Sequence, residues 1–330
     1  MSIWEKMLNL DRRWIFLLIG IVCVVPFFMP IGLPILPSEE VTGIYDYVDS
    51  LDSENAIFIG FDFDPGTAAE NQPMGIAVLR HAFSRDIPVF ITAVTPMGQG
   101  LAAMAIDELT DETSSDFFAL VSWSEWSDIR DQGITDRAEI EEAWLAAGNS
   151  LPDNARGFVF EGRDLAHLGY LPVFNLVILG MSSSIASQYP TDVTGNPVEE
   201  MPMYQDHKSL REIDLAVTNA GSAVCTWWII YGREKIGLPV AFGVTAVMAT
   251  DYYIYIQSGQ IIGQMGGLRG AAEYETLLLD NGIASEPGRA FIGMDVQNVA
   301  HLLIIFLVIL GNIAFFAGGF HKKTKLKGRR

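Results

Sequence analysis

The chain has 330 residues, half of them apolar, with 21 basic and 40 acidic side chains and a net charge of −19. A polyanion of this kind repels nucleic acid and anionic headgroups, which argues against any nucleic-acid partner. Two cysteines, Cys23 and Cys225, with no C-x-x-C pair and no His cluster at ligand spacing, exclude a disulfide framework and give no metal site.

The apolar excess is concentrated at the two ends. Residues 1–13 carry Lys6, Arg12 and Arg13, and no charged residue follows from Trp14 to Leu36. That run approaches the ~20 residues of a membrane-crossing helix, so residues 14–36 are predicted to be transmembrane helix 1. The segment FFMPIGLPILP after its core lacks a small-x-small cleavage site, which predicts an uncleaved anchor. Pro26, Pro30 and Pro34 predict a kink or extended chain at its outer end.

Residues 37–298 read as one α/β domain. Val41, Ile44, Tyr45, Val48 and Leu51 fall at helical spacing behind a Ser38 cap, with Glu40 in the first turn. An apolar strand, Ala56–Phe61, is followed by a helix over Thr67–Phe83 whose Ile76, Leu79, Ala82 and Phe83 face the sheet. Pro88–Val94 is the next strand and Gly98–Leu109 the next helix. Phe117–Trp123 predicts a third strand, Ser124–Ala147 a helical surface insertion, and Gly157–Phe160, Val173–Leu179, Ile213–Thr218 and Pro239–Val247 further strands. The proline-rich stretch Tyr189–Pro202 is a loop. This alternation predicts a Rossmann-like, mostly parallel sheet of five or six strands with helices on both faces.

Toward the end of the domain, Gly259, Gly263, Gly267 and Ala271 recur every four residues, predicting a helix with one small stripe for close packing on this domain or on a second copy. Glu273 and Glu275 on that helix point to different faces, one toward a subunit contact or solvent. Residues 299–320 are predicted to be transmembrane helix 2. Asn312 there needs a neighbouring helix, and Ala314 with Gly318 forms a small-x-x-x-small pair suited to association. The tail 321–330 has Lys322, Lys323, Lys325, Lys327, Arg329 and Arg330. Basic flanks on both runs place both termini in the cytoplasm and the middle in the periplasm or outside the cell. That middle holds 12 basic residues against 38 acidic ones, a net charge near −26.

The sharpest chemical motif is FDFDPGT at the end of the first strand. It resembles the D-x-D-G-T nucleophile motif of haloacid-dehalogenase-type phosphatases, with Pro65 inserted before Gly66. The resemblance implies Asp62 as nucleophile, Asp64 as acid/base and a Mg²⁺ ion beside them. It further implies roles for Thr92 or Ser182, Lys208 or Lys235, and Asp251. The residues by themselves also fit a capped turn in which Asp64 bonds the amides of the next helix. Thr95, Gly98 and Gly100, and the GMSSS run with Ser182 and Ser183, read as helix openings with free amides for a carboxylate or phosphate, and Asn219 ends a strand beside them. No G-x-G-x-x-G follows the first strand, and His81, His167 and His207 assemble no Ser-His-Asp order.

The resulting expectation is a two-pass protein of the cytoplasmic membrane with membrane lipid as its surroundings. It acts as a scaffold, binding or accessory subunit through self-assembly or other membrane-complex subunits, without a cofactor. The alternatives are an extracytoplasmic Mg²⁺-dependent phosphatase using Asp62 and Asp64, and a small-molecule binder feeding a transporter.

Overall fold

The computed structural model describes residues 11–327 except Pro30, Leu33 and Ser115, and describes no side chain for Phe27 or for residues 318–327. The described residues divide into two units, one of the terminal segments Met1–Pro34 and Ile292–Arg330, the other Ile35–Phe291.

The second unit is organised by β1 (Ile57–Asp62), every residue of which is buried. A strand covered on both faces must be apolar throughout, which is why IFIGF shows no alternation. It pairs in parallel with β2 (Val89–Ala93), in register Gly60 to Thr92. After β2 the chain makes a separate parallel pair, β3 (Phe117–Val121) with β4 (Ala155–Phe160), then returns to the main sheet as β5 (Leu165–Tyr170) beside β2. The other side of β1 takes β6 (Leu215–Ala220), in register Gly60 to Thr218, followed by β7 (Val240–Val244) and β8 (Gln264–Gly266), again in parallel. The main sheet therefore reads β5-β2-β1-β6-β7-β8. Counted by sequence within that sheet, this is the 3-2-1-4-5-6 order of doubly wound nucleotide-binding folds.

The terminal helix α1 (Arg12–Phe28) belongs to the other unit and precedes α2 (Glu39–Asp49), which buries Val41, Ile44, Tyr45 and Val48 as its periodicity predicts. After β1 comes α3 (Ala68–Ser84), and after β2 comes α4 (Pro96–Thr110). Ile76 is only half-buried; Met74, Ala77 and Val78 join Leu79, Ala82 and Phe83 in the core. The insertion between β3 and β4 contains a short turn of helix, Ser127–Arg130, and α5 (Arg137–Ala146). Arg137 ties it to the main body. Its guanidinium lies 3.0 Å from the Asp164 carboxylate, 2.6 Å from Glu141 and 3.2 Å from Asp86, and donates to the Phe158 carbonyl.

Several sequence expectations are corrected. Val173–Leu179 is not a strand but most of α6 (Phe174–Met181), because an unbroken apolar run lacks the alternation that separates a buried strand from a buried helix. The strand it displaces is β5, whose LAHLGY carries no β-branched residue. The supposed helix bearing Gly259, Gly263, Gly267 and Ala271 does not exist as one element. Gly259 sits at φ +72° in a turn after α8, Gly263 precedes β8, and Gly267, at φ +62°, opens the next helix. Besides the short helices Ile185–Gln188 and Pro202–Asp206 and the 3₁₀ turns Val198–Glu200 and Leu210–Glu212, the helices that follow are α7 (Val224–Trp227, continued by a π-helical stretch Trp228–Arg233 and Glu234–Ile236), α8 (Ala249–Gln257), α9 (Gly267–Asp280) and α10 (Arg289–Lys327). At Gly263 a methyl would fall 2.0 Å from the Glu40 carbonyl oxygen, so its missing side chain serves the contact with α2 inside this unit.

Glu273 and Glu275 are both buried rather than solvated. Glu273 accepts from the Ser38 amide at 3.0 Å and hydroxyl at 2.6 Å, so Ser38 is held by α9 instead of capping α2 with its side chain. Glu275 accepts from the amides of Ala290 and Phe291 at 3.2 and 2.7 Å, a carboxylate on the opening turn of α10 where the helix dipole favours it.

In the terminal unit, α10 is longer than the predicted span. Its stretch Arg289–Ala317 is, among the described residues, the one helix long and apolar enough to cross a membrane. The expected first span, 14–36, is helical only to Phe28. At 1.5 Å per residue its 17 residues fall short of a ~30 Å hydrocarbon layer. Pro26 lies inside the last turn, and the chain beyond is extended. The amides of Ile31 and Gly32 donate to Asp295 at 2.9 and 2.8 Å, tying the end of the first segment to α10. Residues 1–10 and 328–330, with Lys6, Arg329 and Arg330, lie outside the described residues.

Candidate functional site

In this strand order the connections leave β1 and β6 in opposite directions, so a crevice opens outside their carboxyl ends. The structure brings Asp62, Asp64, Thr95, Gly98 and Asn219 to these ends, each with a local task. Asp64 is exposed and accepts from the Gly66 amide at 2.8 Å, closing a turn ahead of α3 rather than capping it, since α3 starts after Thr67 with no side-chain cap. Thr95 caps α4 by accepting from the Gly98 amide at 3.0 Å. A methyl on Gly98 would meet the Phe61 carbonyl at 2.1 Å, so this glycine is what lets α4 start against the tip of β1. Gly100 faces open space. Asn219 is buried on the opposite sheet face from Asp62 and reaches the Gly60 carbonyl at 3.4 Å. The two turns bordering the crevice abut, since a methyl on Gly221 would sit 2.6 Å from the Thr67 hydroxyl.

Ser182 and Ser183 lie between the end of α6 and the short helix Ile185–Gln188, which Ser184 caps by accepting from the Ser187 amide, and the Ser182 hydroxyl donates to the Leu179 carbonyl at 2.7 Å. Ala271 is buried within α9 and Asn312 donates to the Val308 carbonyl of its own helix at 2.9 Å. The surroundings of Gly318 lie outside the described residues.

Asp62 is the chemically unusual group. It is 2% exposed, its Oδ1 accepts from the Val94 amide at 3.0 Å, and the Trp228 indole lies beside the carboxyl. Burial pushes its carboxyl up to about 8, opposed by the Val94 amide and by the nearby Trp228 indole. A carboxyl that is buried and mainly protonated at neutral pH is a poor nucleophile, and Asp64 points to solvent, so the pair does not converge on one reacting centre. Among the described residues no three His, Cys, Asp or Glu side chains gather as a metal site. His81 is buried, stacked on Tyr45 at 4.5 Å and hydrogen-bonded to the Tyr274 hydroxyl at 2.9 Å, and burial lowers it to about 4. A structural role accounts for it.

Sequence reading missed that Thr92 and Thr218 flank Gly60 on the two strands beside it, and missed Tyr189 and Trp228 altogether; the hydroxyls of Thr92, Thr218 and Tyr189 are buried without a hydrogen-bond partner among the described residues. The available signal was Gly60, a glycine inside an apolar strand, which marks a close approach over the sheet. A separate recess of about 940 Å³ lies between α3 and α4, lined by Gln72, Leu101, Met104, Asp107, Glu108 and Asp111. It is acidic, lies on the helix layer and is remote from Asp62 in composition and element. No protein-family model matches this chain, and neither a curated protein nor a solved structure matches it.

Proposed function

We propose that the protein is a two-pass, membrane-anchored binding or accessory subunit whose acidic α/β domain lies outside the cytoplasm and works by joining a membrane complex or a second copy of itself. The observation that carries this reading is the exposed apolar surface of the terminal unit. Trp14, Phe16, Leu17, Ile21 and Phe28 on α1, and residues such as Leu302, Phe306, Phe315 and Phe316 on α10, are each at least half exposed. Such an area is stable in lipid and a liability in water. The extended chain after α1 lengthens that segment, and the basic flanks support cytoplasmic termini.

An association surface is supported by a second patch on the α/β domain. Val173 at the start of α6, Leu176 on it, and Trp227 and Ile230 on α7 are exposed on two helices that pack together. Val173 is held at φ +56°, a conformation that strains a β-branched residue. Exposed apolar clusters of this kind mark interaction sites. The double variant Leu176→Asp/Ile230→Asp is expected to lower the mass of the detergent-solubilised particle, measured by light scattering, with its circular dichroism unchanged. A wild-type particle that is already monomeric, and that loses a Mg²⁺-dependent phosphatase activity on Asp62→Asn, would favour the hydrolase instead.

A further inference from the structure

The points at which the chain enters and leaves the α/β unit are pinned to one helix. At the entry, Ser38 gives its amide and hydroxyl to Glu273; at the exit, the amides of Ala290 and Phe291 donate to Glu275, two residues further along α9. Both carboxylates are buried, so each point is fixed in the body of the domain rather than on a loose loop. The apolar run expected to lie in lipid ends at Leu36, which is 78% exposed. Two residues of extended chain cover at most ~7 Å, so Ser38 stands close to the lipid boundary and brings the surface around it along.

That surface is α8 and the turn before it. Ser38 borders a recess of about 370 Å³ together with Ala246, Ala249, Tyr253 and Arg269. Close packing at the ends of β7 and β8 brings α8 there: a methyl on Gly266 would meet the Ala249 Cβ at 3.0 Å, and one on Gly267 the Ala246 Cβ at 2.7 Å. α8 buries Ala249 and Tyr252, the latter edge-on against Phe242 with ring centroids 5.4 Å apart. At about 100° per residue, Thr250, Tyr253, Ile254 and Gln257 then share the outward face, and all four are exposed. Ile254 is 66% exposed, and Val247, in the preceding turn, 85%.

The same surface stands apart in charge. Between Lys235 and Arg269 the sequence has one charged residue, Asp251, on the flank of that outward face, in a domain of 12 basic and 38 acidic side chains. A polyanionic body is pushed away from headgroups, and a charge-poor patch is where it approaches a bilayer at least electrostatic cost. The composition suits the interfacial layer: an exposed tyrosine, branched aliphatic side chains and, at the rim, Arg269, whose side chain is 69% exposed while its Nε lies 2.8 Å from Glu273. The short entry chain leaves no room for a protein between this patch and the lipid.

We propose that Val247 and the outward face of α8, with Tyr253 and Ile254, lie in the headgroup layer of the outer leaflet, so that the domain rests on the bilayer as well as being tethered to it. This placement rests on the membrane-anchored reading proposed above and adds the face that touches lipid. The α6 and α7 patch remains for a protein partner.

The test is nitroxide quenching of the full chain in phosphatidylcholine vesicles, with an environment-sensitive NBD probe on single cysteines in a background lacking Cys23 and Cys225. Ile254→Cys and Val247→Cys are expected to lose severalfold more fluorescence than Asp153→Cys, before β4, when the vesicles carry phosphatidylcholine with a nitroxide near its headgroup. Leu302→Cys on α10, with the nitroxide deeper in the acyl chain, reports the anchor itself. Quenching at Leu302, with Ile254 and Val247 both at the level of Asp153, overturns the lipid contact and leaves the anchor standing. A blue shift at Ile254 or Val247 without quenching means burial against protein and likewise overturns the proposal. Leu302 at the level of Asp153 overturns the anchored reading, and the lipid contact with it.

Discussion

Replacing Asp62 by Asn is expected to stabilise the α/β domain in alkaline solution, by on the order of 5 kcal/mol at about pH 9. The sign follows from the proton balance. The Asp62 carboxyl has an ordinary value of 3.8 and titrates near 8 in the fold. Between those two values the unfolded chain has released a proton that the folded protein keeps. The stability gained from the protonated form is therefore complete below about pH 4 and lost as pH rises through 8. Glu275, raised to about 7, and Asp164, raised to about 6, both chiefly by burial, add slopes of the same sign. Asn keeps the acceptor for the Val94 amide and cannot ionise. Urea melts across pH 5 to 9 should show the wild type weakening with pH while the variant follows a shallower course. Parallel curves would mean that Asp62 ionises normally in the fold.

The second large effect is expected at Arg137, the tie between α5 and the main sheet. Arg137→Ala should cost about 3 to 5 kcal/mol at about pH 8, because it leaves the Asp164 carboxylate buried without its partner. Asp164 keeps only the Phe160 amide, donating at 2.9 Å, and more distant charge from Arg163. The deficit should shrink at about pH 5, where Asp164, raised to about 6, is protonated and needs no counter-charge. Double replacement, Arg137→Met with Asp164→Leu, should recover most of the loss, since apolar residues of similar volume replace buried ion pairs well. Chemical denaturation of the three proteins checks this, and a deficit below about 1 kcal/mol for Arg137→Ala would make the network ornamental.

The strands Ile57–Asp62, Val89–Ala93 and Leu215–Ala220 were legible because central parallel strands are apolar on both faces and are bounded by turn residues. Val173–Leu179 and Leu165–Tyr170 were misread for the converse reason. The first is apolar without a period that separates strand from helix, and the second is a short edge strand whose pairing with β2 is set by tertiary context. The four-residue glycine spacing from Gly259 to Ala271 misled because positive φ at Gly259 and Gly267 breaks the chain into turn, strand and helix. Asp62 was legible as a candidate but not as a buried carboxyl, since FDFDPGT alone does not say which of its two aspartates turns into the sheet. Tyr189 and Trp228 come from a loop and a π-helical stretch whose positions no local pattern encodes.

The central claim is that the acidic domain faces away from the cytoplasm while both basic ends stay inside. The most direct measurement is labelling of single cysteines with a membrane-impermeant maleimide on intact cells, in a background lacking Cys23 and Cys225. Asp153→Cys, at an exposed position before β4, is expected to react on intact cells, and Thr324→Cys in the basic tail only after permeabilisation. The opposite pattern would contradict the arrangement, turning the domain inward and removing the basis for an extracytoplasmic partner.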